Sequence, residues 1–312
     1  MRIVFMGTPD FAVASLRALV ENGYDVAGVV TQPDKPAGRG YRVQQSAIKQ
    51  YALAQNLPIL QPEKMKDKAF IAALAEWKAD VQVVVAFRML PSEVWQMPRF
   101  GTFNLHASLL PAYRGAAPIN WAIINGERQT GVTTFFIDSK IDTGKIILQE
   151  KIAISDSDNA ETIHDALMTI GAKLVCKTID LIINNSIQSI DQQELADETL
   201  LQKTAPKLFR ETCKIDWQQS AQQVYNFIRG LSPYPTAWAA LNFVPDVDAI
   251  EIKIYESDKE IIAHNLPTGT IVSDMKKYAK VAVNDGFIVL KNVQAAGKKR
   301  MEIGELLRGL RH

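Results

Sequence analysis

Asn104-Leu105-His106, followed closely by Ser108-Leu109-Leu110-Pro111, sets an amide and an imidazole two residues apart. On an extended strand that spacing turns both side chains to one face. The amide can donate to an oxyanion as it develops. The imidazole can take up or release a proton near neutral pH. A third group stands in Asp138-Ser139-Lys140-Ile141-Asp142-Thr143-Gly144, where the Asp142 carboxylate can reach the same strand if the two segments are neighbours. A carboxylate beside an imidazole fixes the ring's tautomer and favours its charged form. Asn104, His106 and Asp142 then make a proton-transfer and oxyanion site that needs no serine or cysteine nucleophile. Each has a plainer reading alone: Asp142 as an Asx-turn residue, His106 as a core histidine with its bonds filled. The loop Ala112-Tyr113-Arg114-Gly115-Ala116-Ala117-Pro118, rich in small residues, adds weight to the joint reading.

These groups need a sheet to hold them. Arg2–Met6, Val26–Val30, Val81–Ala86, Phe103–Ala107 and Val132–Ile137 read as strands, and Val26–Val30 is a continuous apolar run. Helical spacing marks Phe11–Asn22 and Met65–Trp77 between them. Continuous apolar strands with helical connections predict an α/β domain, a Rossmann-like open sheet of parallel type covered on both faces. Ligands in such sheets bind beyond the carboxyl ends of the strands, where Gly7, Asn104 with His106, and the segment after Ile137 are expected to stand. The turn Gly7-Thr8-Pro9-Asp10-Phe11 lacks the further glycines of a dinucleotide fingerprint.

A long helix is expected over Ala160–Asn184, opened by Asp158-x-x-Glu161 in the manner of a capping box. His164 in it reads as a surface histidine, and Cys176 as a small buried hydrophobe. Residues 185–207 are polar, without period, and read as a linker with a short strand or two. A small helix is expected over Asp216–Arg229 with Asp216 as N-cap. Beyond Ala237 the period shortens to two: Ala237–Asn242, Ala249–Tyr255, Thr268–Ser273, Val281–Asn284 and Phe287–Val293, with a turn at Asp285-Gly286. Several short strands in so little chain predict a C-terminal OB-like small β-barrel. The expected division is therefore a first domain over 1–190, a linker over 191–207 and a second domain over 208–312.

The chain has 312 residues and 47% hydrophobic side chains, enough for two cores. The two cysteines, Cys176 and Cys213, lie far apart, which fits a reducing, cytoplasmic setting and no structural metal. No run of about 18 apolar residues is present, so no membrane span is expected. The absence of an obvious apolar patch points to a monomer. The net charge of +1 hides an asymmetry. Residues 206–312 hold 15 Lys+Arg against 12 Asp+Glu, whereas residues 1–205 hold 20 against 22. Between Asp34 and Glu63 there is no acidic residue, while Lys35, Arg39, Arg42 and Lys49 fall inside. One-signed charge on a near-neutral chain suggests a phosphate-bearing partner, and a solvated basic loop is the plain alternative.

Asn104-x-His106-x-Ser108-Leu109-Leu110-Pro111, Tyr113-Arg114-Gly115-Ala116-Ala117-Pro118, Gly131-Val132-Thr133 and Asp142-Thr143-Gly144 closely resemble the folate-dependent formyltransferases. The opening Met6-Gly7-Thr8-Pro9-Asp10-Phe11-Ala12 and the stretch Thr31-Gln32-Pro33-Asp34-Lys35-Pro36-Ala37-Gly38-Arg39-Gly40 narrow the likeness to the branch acting on aminoacylated initiator tRNA. The resemblance covers nearly the whole chain. It implies transfer of formyl from 10-formyltetrahydrofolate, as co-substrate, to the α-amino group of methionine on initiator tRNA, without a metal. By match, Asn104, His106 and Asp142 are the catalytic residues. The implied folate segment is Ala86-Phe87-Arg88-Met89-Leu90-Pro91, with Phe87, Met89 and Leu90 as contacts beside Ser108, Leu109, Leu110 and Pro111. It departs from the family's usual Ala-Tyr-Gly opening. Lys35, Arg39 and Arg42 are the implied tRNA contacts. Two other readings stay open here: a formyltransferase for an amino sugar nucleotide, and a tRNA-binding protein without catalysis.

Overall fold

The computed structural model describes residues 1–37, 42–195, 198–244 and 248–310. In chain order its elements begin with β1 (Arg2–Gly7), α1 (Asp10–Glu21), β2 (Asp25–Val30), β3 (Lys35–Ala37), β4 (Arg42–Gln44), α2 (Ala47–Ala54) and β5 (Ile59–Leu60). Next come α3 (Lys68–Glu76), β6 (Val81–Val85), α4 (Ser92–Trp95), β7 (Thr102–His106), β8 (Arg114–Gly115), α5 (Pro118–Ile124), β9 (Gln129–Phe136), β10 (Ile146–Ala153) and α6 (Ala160–Ile183). The last third holds α7 (Gln192–Leu195), α8 (Glu198–Gln202), β11 (Thr204–Ala205), α9 (Ala221–Leu231), β12 (Ala237–Leu241), β13 (Ile250–Ile261), β14 (Ile271–Ser273), β15 (Ala279–Val283), β16 (Gly286–Ala295), β17 (Met301–Glu302) and α10 (Ile303–Gly309).

Two compact units share the chain, and neither is continuous in sequence. The first takes Met1–Gly115, Thr130–Ile152 and His164–Thr204; the second takes Ala116–Gln129, Ala153–Ile163 and Ala205–His312.

The first unit is built on a seven-stranded sheet in the order β10-β9-β7-β6-β1-β2-β5. The pairs β1–β2, β1–β6, β6–β7 and β2–β5 are parallel. Its central strands are buried throughout, with Ile3, Val4, Phe5, Met6, Val83 and Val85 sealed from solvent, as helices on both faces require. Toward β10 the sheet departs from the parallel expectation. β9 runs antiparallel to β7, with His106 opposite Thr133 and Leu105 opposite Thr134. That pairing ends β9 beside the start of β7, with Phe136 opposite Phe103, and the turn after β9 folds back so that Asp142 meets His106.

In the second unit α9 starts at Ala221. Ser220 and Gln223 close a reciprocal capping box there. Asp216, expected as the cap, instead accepts from the Gln218 N–H at 3.0 Å in a turn before the helix. The opening of α6 shifts in the same way. Asn159 Oδ1 accepts from Thr162 N–H at 2.9 Å, and Asp158 takes the Ser155 N–H at 2.7 Å.

Val224, Ile228 and Leu231 of α9 pack with Ile252, Ile254, Val281, Ile288, Leu290 and Val293 into one core. The sheet beneath runs β12-β13-β16-β15-β14, with β17 paired to β16. Among the described residues the path ends on β12 and β14, so this OB-like sheet is a half-barrel. β13 outruns its expected end at Tyr255 because register shifts around Glu256 let the acidic stretch continue the pairing to Ile261.

Segments from earlier in the chain complete this unit. Asn120 of α5 donates to Gly230 O at 2.8 Å. The buried Arg229 guanidinium donates to Ser155 O and Asp158 O, both at 2.8 Å, and to Asn226 Oδ1 at 2.9 Å.

Candidate active site

β7 carries Asn104 and His106 on one face, with the apolar Leu105 turned to the other. His106 is buried, and its Nε2 lies 2.9 Å from Tyr113 O. A carbonyl only accepts, so this partner assigns the proton to Nε2. Nδ1 faces Asp142 Oδ2 at 3.9 Å, an ion-pair distance beyond a direct hydrogen bond, with side-chain exposures of 7% for His106 and 17% for Asp142. The Asn104 amide is half-buried, and none of the hydrogen bonds among the other described site residues goes to it.

Asp142 is aimed by backbone. It adopts φ +55°, the left-handed region that Asp tolerates better than most residues. Its Oδ2 accepts from Gly115 N–H at 3.0 Å. Two residues on, Gly144 has no room for a side chain: a Cβ there would sit 1.7 Å from Phe136 O. Asp138 holds the start of the turn, accepting from Lys140 N–H at 2.9 Å and Thr143 Oγ1 at 2.8 Å. The turn is therefore fixed at both ends.

The loop after β7 is held by Ser108 and by side chains to which the sequence reading gave no role. Thr133 Oγ1 donates to Ser108 O at 2.7 Å and accepts from Leu110 N–H at 3.2 Å. Gln149 Nε2 donates to Leu110 O at 2.9 Å, and Ser108 Oγ donates to Ala112 O at 2.7 Å. Gln192 belongs with them. It donates to Asp142 O at 2.9 Å and Gly144 O at 2.8 Å, and accepts from Arg114 Nε and Nη2. Thr133 had a signal in the Gly131-Val132-Thr133 motif, and the structure sets it opposite His106 in the β7–β9 pair. Gln192 had none.

The expected folate contacts divide. Ser108, Leu110 and Pro111 are buried, with Leu110 packed on Phe135 and Ile146. Leu90 is buried in a cluster with Val84 and Phe70, against which Phe87 packs. Leu109 is half-buried, and Met89 stands 72% exposed. Arg88, where the family pattern has glycine, donates to Glu63 O at 2.8 Å and to Pro62 O. Burial pushes its guanidinium pKa down.

Of the expected tRNA contacts, Lys35 and Arg42 lie in the antiparallel β3–β4 pair, with Lys35 opposite Gln44 and Arg42 opposite Ala37. Arg39 lies outside the described residues. Lys49, the fourth cation of that run, is neutralised by Asp34 at 2.5 Å. The Lys49 and Gln61 hydrogen bonds hold the Asp34 carboxyl below its usual range. Among the described residues no His/Cys/Asp/Glu cluster is placed to hold a metal, and no helix is long and apolar enough to cross a membrane.

Residues 1–179 match the family described as formyl transferase, and residues 207–311 match its C-terminal domain. A methionyl-tRNA formyltransferase of Bacteroides thetaiotaomicron is 61% identical over 311 residues, covering 100% of this chain and 96% of the relative. That of Flavobacterium johnsoniae is 53% identical, covering 99% and 96%. Among solved structures, an N-formyltransferase of Helicobacter canadensis, in complex with folinic acid and dTDP-3-aminofucose, aligns at TM-score 0.64 and 23% identity over 94% of this chain and 98% of that one. At that identity the likeness speaks for the fold.

Proposed function

The chain belongs to the formyl transferase family, and on that premise we propose that Asn104, His106 and Asp142 transfer formyl from 10-formyltetrahydrofolate to the α-amino group of methionyl initiator tRNA. The observation carrying the assignment is the convergence of Asn104 and His106 on one face of β7 with Asp142 Oδ2 at 3.9 Å from His106 Nδ1. A carbonyl substrate fits these groups: an uncommitted amide, a ring nitrogen free of close partners and a carboxylate are what addition to a carbonyl requires.

10-Formyltetrahydrofolate supplies the formyl carbon and leaves through its N10. The amine lone pair adds to that carbon, a C–N bond forms, and the carbonyl oxygen becomes an oxyanion. The Asn104 amide donates to it where charge develops. The attacking nitrogen must then lose a proton, and N10 must gain one as the old C–N bond breaks. With Nε2 held by Tyr113 O, Nδ1 is the His106 nitrogen left to carry that proton. Asp142 is too far away to take it directly, yet close enough to stabilise the imidazolium. Unit charges at about 4 Å attract by about 4 kcal/mol at an effective dielectric of about 20, before desolvation.

The tRNA is held by charge. Lys35, Arg39 and Arg42 are assigned to phosphates of its acceptor end, and the C-terminal residues 208–312 to a second phosphate-binding surface. The catalytic role is assigned to residues 1–190, with 191–207 connecting them. The unbroken cationic stretch of the first segment and the excess charge of the last third support this.

A formyl-transfer assay with aminoacylated initiator tRNA, with deacylated tRNA and with a dTDP-amino sugar tests the reading. Product is expected with the first alone. Formylation of the sugar, or tRNA binding without transfer, overturns it.

A further inference from the structure

We propose that Gln192 is a positioning residue for the reaction, whose side-chain amide sets the backbone on which the Asp142 carboxylate and the His106 ring are aimed. The proposal rests on the reading of Asp142 and His106 as the proton-moving pair.

Gln192, the first residue of α7, is 1% exposed. A primary amide offers two N–H donors and a carbonyl oxygen with two lone pairs. Nε2 donates at 2.9 Å to Asp142 O and at 2.8 Å to Gly144 O. Oε1 accepts from Arg114 Nε at 3.1 Å and Nη2 at 2.6 Å. One amide thus ties together two segments remote in sequence, each attached to a reacting side chain. Arg114 stands between Tyr113, whose carbonyl holds His106, and Gly115, whose N–H holds Asp142. Asp142 and Gly144 bound the turn that presents the carboxylate.

The opposite side of that turn has no slack, since Gly144 is pressed against Phe136 O. Gln192 holds the side that could otherwise move, and Asp142 in its left-handed conformation depends on such outside support. A displacement of the carboxylate of a fraction of an ångström acts on the step that moves the proton and leaves both substrates bound as before.

The test is Gln192→Glu in the full-length protein. The substitution keeps the shape and the acceptor for Arg114, and sets a carboxylate oxygen against the two carbonyls. Transfer is measured with 10-formyltetrahydrofolate and methionyl initiator tRNA, and folding by circular dichroism. The expected result is a fall in kcat of tenfold or more, with KM for each substrate within twofold. The decisive comparison is the same change made beside Asp142→Asn, which keeps the backbone but removes the charge. There it should alter the residual kcat by less than twofold, because the group it positions is gone. An equal fold-loss in both backgrounds, a change in KM alone, or an unaltered kcat in folded Gln192→Glu overturns the proposal. Should Gln192→Glu fail to fold, Gln192→Met replaces it; because it also frees Arg114, the expected result there is a kcat loss at least fivefold larger in the wild-type background than beside Asp142→Asn, and an equal loss in both overturns the proposal. A wild-type kcat in Asp142→Asn overturns the underlying reading instead.

Discussion

Both units bury polar side chains, but they do so for different purposes. In the first unit, the buried Ser108, Thr133 and Gln192 and the half-buried Gln149 each bond to the backbone of the two loops that flank Asn104, His106 and Asp142. In the second unit the most buried charge, Arg229, holds the carbonyls of Ser155 and Asp158, and no reacting group is nearby within that unit. Several of the second unit's other cations lie over rings, and Arg210 and Lys280 among them also pair with Glu251 and Glu260. Arg210 and Lys214 lie over Trp238, Lys280 over Phe287 and Arg300 over Tyr255. Chemistry at a carbonyl requires position within fractions of an ångström, and these bonds fix the loops that set it. Holding a polyanion requires only charge at the surface, and exposed cations with mobile ends suffice.

The sharpest way to break this contrast lies in the first unit. His106→Ala or Asp142→Ala should nearly abolish transfer while circular dichroism stays native. Near-wild-type turnover in either folded variant would refute the mechanism. Asn104→Ala should cost on the order of 10²–10³ in kcat, the loss of one oxyanion donor. A drop in kcat that merely tracks the folded fraction would assign Asn104 to stability instead.

In the second unit the expected effects change in kind. Arg229→Met takes this donor from the Ser155 and Asp158 carbonyls and should cost on the order of 1–3 kcal/mol in urea unfolding. Turnover per folded molecule should stay within a few-fold; a loss as large as that of Asn104→Ala would erase the distinction between the units.

Cutting the chain after Ala205 is a poor test of tRNA binding, because α5 and Ala153–Ile163 would lose the partners with which they form a compact unit. Exposed cations serve better. Replacing Lys298, Lys299 and Arg300 by Ser should raise KM for tRNA several-fold and flatten its salt dependence by about 0.7–0.9 log units per lost phosphate contact. KM for the folate should not move. Unchanged tRNA kinetics across a salt series would remove this surface from the account.

The smallest effect belongs to Asp274, which accepts from the N–H groups of Lys276, Lys277 and Tyr278. Those bonds hold its carboxyl down to about 2. A depressed carboxyl stabilises the fold above its unfolded value and loses that contribution as pH falls through the folded one. The difference in thermal midpoint between wild type and Asp274→Asn should therefore be full above about pH 4 and shrink toward pH 2. A gap independent of pH would mean that the charge contributes nothing.

The facing of Asn104 and His106 was legible because a strand has period two and both lie inside one short apolar stretch. The link to Asp142 was legible as a condition, that the two strands be neighbours, and motif likeness strengthened it. Parallel and antiparallel pairing look alike in a buried run, and the antiparallel β7–β9 pair decides where the turn after β9 lies. The start of α9 was misplaced because Asp216 and Ser220 are both capping types; Asp216 is engaged in its own turn. Gln192 was hidden for another reason. Its segment is polar and aperiodic, so nothing local separates a linker from a strut. Its meaning lies wholly in partners 48, 50 and 78 residues away. The basic run was overread by one, since Lys49 meets Asp34 only once the chain between them has folded back.

The discontinuity of the two units also sets an order of events during synthesis. Asn120 waits for Gly230, 110 residues later. At about 5–20 residues per second the ribosome needs roughly 5–20 s to deliver it. Ile124, which packs on the second unit's core, stays without its apolar partners for the same interval. The first unit lacks nothing once Thr204 has emerged, whereas the second cannot close until much of the C-terminal sheet has been made. The nascent chain thus carries a folded catalytic sheet with two unpaired arms, and the window in which those arms can bind a chaperone or a wrong neighbour is set by translation speed.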